Sequence, residues 1–122
     1  MARQEMAAVN GAATFLPRDG TVLGGHLVTV FGGDLGCSIV FEGSYDGASD
    51  SWVPTYAVKC KDNAGVAGVA VAHTNNEIFA YWVPATGFAQ VRVRCTIYPG
   101  GTTVNPWADA VWFDGAAEHK VL

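Results

Sequence analysis

Apolar and polar residues alternate with a period of two along much of this chain, and no apolar pattern of helical spacing is sustained beyond two turns. The clearest alternation places Val91, Val93, Cys95 and Ile97 on one side and Arg92, Arg94, Thr96 and Tyr98 on the other. It predicts a strand with the first set inward and the second outward. Cys37 to Glu42 alternates in the same way, with Cys37, Ile39 and Phe41 opposed to Ser38, Val40 and Glu42. Gly43 and the Asp46-Gly47 pair then mark a tight reversal, because glycine reaches the positive φ that such a turn needs. Trp52 resumes the apolar run, so this stretch predicts a hairpin whose tryptophan closes one end of a core.

The remaining elements follow the same punctuation. Gly24-Gly25 leads into a strand from His26 to Phe31, with Val28 and Val30 on one face and Leu27, Thr29 and Phe31 on the other. Pro54 cannot donate to a ladder, so the run to Cys60 lies at an edge or begins at Thr55. Val66 to Ala72 is a run of small β-compatible residues, and Ile78 to Val83 is the most aromatic stretch. Pro99-Gly-Gly-Thr102 is a hairpin turn; the chain returns from Thr103, with Pro106 breaking the ladder before Trp107. Strands at intervals of about eight to fifteen residues with turns between predict an all-β, antiparallel sandwich or jelly-roll-like single domain. Residues 1–24, which end in the turn signal Leu16-Pro-Arg-Asp-Gly20, read as an arm that either pairs with a sheet edge or reaches a neighbour. Residues 25–113 read as the sandwich, and residues 114–122 as a polar tail.

Composition sharpens this picture at the surface. Of 122 residues half are hydrophobic and only 15% are charged, against about a quarter charged in a typical soluble domain. So little charge favours permanent contact with other subunits. A net charge of −4 offers no electrostatic footprint for nucleic acid or an anionic membrane. Arg92 and Arg94 are too few for a polyanion groove, and fit a solvated face or an intersubunit salt bridge. The first ten residues lack the continuous apolar core of a secretory signal, and no stretch has the length of a membrane span, which predicts synthesis and assembly in a cytoplasm.

Candidate chemistry is sparse. His26, His73 and His119 lack metal-ligand spacing, Ser38 and Ser44 lack a nucleophile-elbow context, and no metal or other cofactor is expected. Asp46 and Asp50 bracket a turn with oxygen ligands, but aspartates so placed more often cap the turn themselves. Glu42, Asp46, Asp50 and Glu77 could supply a carboxylate pair, yet each also suits a solvated turn. Cys37, Cys60 and Cys95 read as small buried thiols or as disulfide formers. Cys60, flanked by Lys59 and Lys61, is the one best placed to pair between subunits. Trp52, Tyr81, Trp82, Trp107 and Trp112 exceed what one small core comfortably takes. They point to a subunit interface or to a glycan-stacking platform, with Tyr98 beside Trp107 and Trp112 in the latter.

Two stretches in order, Val40-Phe-Glu-Gly-Ser-Tyr-Asp-Gly47 followed by Trp52, and Val91-Arg-Val-Arg-Cys-Thr-Ile-Tyr-Pro-Gly-Gly-Thr102, carry a likeness. Over roughly residues 25 to 104 the chain resembles a β-sandwich module of tailed-bacteriophage structural proteins. That resemblance implies a non-enzymatic virion component: a head decoration (cement) protein, a head fibre, or a tail or baseplate subunit. The short chain favours a decoration protein that binds the assembled head. Its partners would be the major capsid protein and further copies of itself, a trimer being the natural arrangement at a shell symmetry axis. The alternative is a tail, baseplate or head-fibre module that binds host-surface glycans. Neither nucleic acid nor membrane is an expected partner.

Overall fold

The computed structural model describes residues 3–17, 24–61, 64–67, 71–85 and 87–114. The described residues form eleven strands: β1 (Gln4–Glu5), β2 (Ala12–Phe15), β3 (Gly24–Gly32), β4 (Cys37–Ser44), β5 (Trp52–Pro54), β6 (Tyr56–Lys59), β7 (Ala64–Ala67), β8 (Val71–His73), β9 (Phe79–Pro84), β10 (Gln90–Ile97) and β11 (Pro106–Asp114). No helix forms among the described residues, and none is long and apolar enough to cross a membrane. Six strands make one sheet in the order β1-β11-β3-β9-β6-β7. The other sheet runs β2-β10-β4-β5, with β8 pairing the same side of β4 further along. Every pairing is antiparallel, and the sheets pack face to face as a sandwich.

Alternation fills the space between them. Val28, Val30, Tyr81, Val83, Ala108 and Ala110 come from the six-stranded sheet; Ala13, Phe15, Ile39, Phe41, Val91 and Val93 come from the other. The Phe41 and Tyr81 rings meet across the layers at 4.8 Å. Gly32 ends β3 at φ 82°, where an added Cβ would lie 2.5 Å from the Asn105 carbonyl oxygen, so that corner requires glycine.

Several local expectations are revised. The run from Trp52 to Cys60 is two strands in different sheets, the chain crossing between them after Pro54. The small-residue run likewise divides into β7 and β8. Pro106 does not break a ladder; it heads β11 opposite Gly32, the first-residue position at which a strand tolerates proline. On β10 the register shifts between Cys95 and Ile97. That irregularity turns Ile97 out, leaving it 59% exposed, and packs Tyr98 against the core, the reverse of strict alternation.

Residues 4–15 run along the sandwich itself. β1 pairs with β11 in one sheet and β2 with β10 in the other. The Gln4 side chain spans the two: its Nε2 donates to the Thr14 carbonyl at 2.7 Å, and its Oε1 accepts the Thr14 amide at 2.9 Å. A side-chain amide thus satisfies a backbone edge that would otherwise be open. Met6 is fully buried behind it. The tail beyond Asp114 lies outside the described residues.

Candidate functional site

The outer face of the five-stranded sheet carries a charge cluster. Glu42, Arg92 and Arg94 are brought together by the β4–β10 ladder, where Arg92 stands opposite Glu42. Arg92 Nε and Arg94 Nε donate to Glu42 Oε1 at 2.8 and 3.0 Å, and a second Arg94 nitrogen donates to Oε2 at 3.0 Å. Burial alone would raise the Glu42 carboxyl, but the Arg94 and Arg92 hydrogen bonds outweigh it and hold it below the usual range. Arg94 also donates to the Asn10 side chain. Trp52 lies on this outer face opposite Ser44, with the Arg92 guanidinium 4.1 Å above its ring. It shields the cluster and does not close the core. The two arginines therefore serve a bridge within the chain.

In the following turn, Asp46 accepts from the Ala48 amide at 2.9 Å, and Ser44 and Ser51 share a 2.5 Å hydrogen bond. The Ser51 hydroxyl and the Ala48 amide hold the Asp46 carboxyl below its ordinary value. Asp46 acts as a turn cap. No group of three or more metal-ligating side chains occurs among the described residues.

All three cysteines are free thiols. Cys37 and Cys95 are buried side by side between β4 and β10; burial, then the neighbouring Cys95, pushes Cys37 up to about 12, and burial raises Cys95. Cys60 is exposed. The lysines that flank it both turn onto Phe79, Lys59 Nζ at 3.9 Å and Lys61 Nζ at 5.5 Å from the ring centroid.

His26 and His73, placed by sequence at a strand start and in a turn, are both interior. His73 Nε2 lies 3.1 Å from the Gly32 carbonyl, so it donates there, and Nδ1 has no partner among the described residues. Burial lowers its pKa. His26, 2% exposed, sits between Phe15 at 5.9 Å and Trp112 at 4.9 Å, and its Nε2 likewise lacks a partner among the described residues. Burial lowers it to about 4, so it is neutral at pH 7. The available signal was the period of two, which puts His26 on the same face as the core residues Val28 and Val30. His119 lies outside the described residues.

The aromatic residues form no single platform. Tyr81 is core; Trp112 and Tyr98 pack partly against the core at opposite ends. Trp107 and Trp82 instead belong to the outer face of the six-stranded sheet. That face also presents Leu27 and Phe31 from β3, Val58 from β6, and Val111 and Phe113 from β11, the last two about half exposed. Phe113 stacks edge-on against Trp82 at 6.2 Å, and the Arg3 guanidinium covers Phe31 at 4.8 Å. The outer face of the six-stranded sheet is thus largely apolar, broken by Thr29 and Asp109 opposite each other at its middle and by Glu5 at its edge. Antiparallel sheets in solitary domains ordinarily turn a polar face to water.

These features define an all-β sandwich with a solvent-facing apolar sheet and no assembled catalytic group among the described residues. No family model matches the chain, and no curated protein or solved structure matches it.

Proposed function

We propose that this chain is a structural protein of a bacteriophage virion, a decoration protein that binds the assembled head and stabilises it. The observation that carries this reading is the apolar outer face of the six-stranded sheet, where Trp82, Trp107, Val111 and Phe113 need a permanent cover. The low charge of the whole chain supports it, as does the resemblance of the two strand motifs to phage sandwich modules. Binding the assembled shell, and not its dissociated subunits, would stabilise the particle by mass action. The proteins it meets would be the major capsid protein and further copies of itself, with no enzymatic role.

Gold-labelled antibody against the chain, applied to purified particles and viewed by electron microscopy, tests this directly. Label distributed over heads is the expected result; particles without label refute the proposal. A paired Val111→Glu, Phe113→Glu variant should fold normally yet fail to join the particle. The Trp82–Phe113 pair favours a second reading, a tail or baseplate module that stacks host glycans. Label at the tail tip, with glycan binding lost on Trp82→Ala, would establish that one instead.

A further inference from the structure

What covers the outer face of the six-stranded sheet can be read from the polar residues that interrupt it. Thr29 on β3 and Asp109 on β11 stand opposite each other at the middle of the face. Leu27 lies opposite Val111 on one side of them, and Phe31 opposite Trp107 on the other. These residues alternate with buried Val28, Val30, Ala108 and Ala110, and so point away from the core. A wholly apolar cover would strip water from the Asp109 carboxylate and give no hydrogen bond in return. The partner of this face must therefore carry a donor at its centre, flanked by apolar side chains.

A second copy of the chain carries that pattern. We infer that the chain forms a two-fold dimer through this face, with the axis running along the seam between β3 and β11. This rests on the reading above that the face has a permanent cover, and it names the cover. Rotation about such an axis lays β3 of each copy on β11 of the other, level for level. Thr29 then meets Asp109 of the second copy, hydroxyl to carboxylate, at two equivalent contacts. Leu27 meets Val111 and Phe31 meets Trp107, so each apolar side chain lands on another. The exposed Arg3 guanidinium, which lies on Phe31 in the single chain, gives way to the incoming indole. A two-fold axis across the strands at the same level would instead set Asp109 against Asp109, which like charge disfavours. Size also suits the arrangement. At about 3.4 Å per residue and about 4.8 Å between strands, the six strands present about 550 Å² in projection, so two copies bury about 1,100 Å². Specific interfaces begin at about 1,000 Å². The contact uses the same patch on both partners, so it closes at two copies.

Sedimentation equilibrium of the purified full chain at pH 7, with no virus particles present, tests this. A dimer with a dissociation constant below about 10 µM is expected. Thr29→Asp sets two carboxylates together at each of the paired contacts and should weaken the dimer at least about thirtyfold. Adding Asp109→Thr puts a hydroxyl opposite each carboxylate again and should return the affinity to within about threefold of wild type. In dimers of one isotope-labelled and one unlabelled copy, nuclear Overhauser contacts should join the Leu27 methyls to the Val111 methyls of the other copy. That readout needs no variant to fold. A chain that stays monomeric up to about 100 µM, or that sediments as a trimer, overturns the proposal. A dimer indifferent to Thr29→Asp, or one lacking the Leu27–Val111 contact, overturns it equally. A monomer would leave the virion reading standing, since labelling of particles tests that separately; a dimer found with unlabelled particles would do the reverse.

Discussion

Replacing Glu42 tests whether the charge cluster on the five-stranded sheet is a structural clamp. Glu42 is 7% exposed and accepts three charge-assisted hydrogen bonds, while the side chains of Arg92 and Arg94 remain 23% and 26% exposed. Glu42→Leu leaves two guanidinium groups on the same face of β10 with no anion between them. Their Cα atoms stand about 7 Å apart, two residues along one strand. Breaking a fully buried pair costs about 3–5 kcal/mol. Partial exposure of both arginines screens the loss, so we expect about 2–3 kcal/mol. Glu42→Gln keeps the shape and an acceptor oxygen but removes the charge, and should cost about half as much. With a denaturant slope of about 1.5 kcal/mol/M, the leucine variant should lower the urea midpoint by about 1.3–2 M at pH 7. Pairing Glu42→Leu with Arg94→Leu should recover at least about 1 kcal/mol of that loss in a double-mutant cycle. Stability within about 0.5 kcal/mol of wild type for Glu42→Leu would refute the clamp.

Further outcomes follow from other parts of the molecule. Acid should destabilise the fold in two windows. His26 binds its proton less readily folded than unfolded, so its contribution is complete above about pH 6.5 and lost as pH falls toward 4, on the order of 3 kcal/mol; His26→Phe should flatten that part of the curve. Glu42, Asp34 and Asp46 have lowered folded values, so their contribution is present above the usual carboxylate range and lost only below it, as urea midpoints measured against pH should show. Gln4→Ala should cost about 1–2 kcal/mol and release the Thr14 amide to rapid hydrogen exchange. Gly32→Ala forces a side chain into a positive-φ corner against the Asn105 carbonyl and should lower stability by about 2–3 kcal/mol in thermal or urea melts. In the native protein a thiol reagent should titrate Cys60 quickly, whereas Cys37 and Cys95 react only after denaturation.

The sandwich was legible because its central strands obey simple alternation. Cys37, Ile39 and Phe41 on β4, and Val91 and Val93 on β10, fill the core on the side that the pattern assigns. Alternation fails where the backbone adds information that residue types do not carry. The irregularity after Cys95 reverses Ile97 and Tyr98, and nothing in Thr96 announces it. β1 and β2 are two and four residues long, too short for a period to show, and their stability comes from partners near residues 91 and 108. Trp52 looked like a core residue by type, yet a cation above its ring can cover a tryptophan as well as a core can. The β4–β10 register brings Arg92 and Arg94 to Glu42, a pairing across fifty residues that local spacing does not reveal. Buried His26 was hidden for a similar reason: a polar residue at a strand start reads as a solvated end, and the rings that enclose it, Phe15 and Trp112, come from distant strands.

The strand pairs that close this sandwich join distant parts of the chain. Glu5 stands opposite Trp107, the Met6 amide donates to the Pro106 carbonyl, and Phe15 waits for Val91. During synthesis, therefore, neither of these early strands can be sealed until the partners at residues 91–94 and 107–108 have left the ribosome. Such a high contact order predicts slow, all-or-none folding, with the early strands exposed while they wait. A nascent chain whose outer sheet face is also largely apolar has two surfaces to protect in that interval, so yield in the cell should depend on chaperone supply more than the finished fold's stability would suggest.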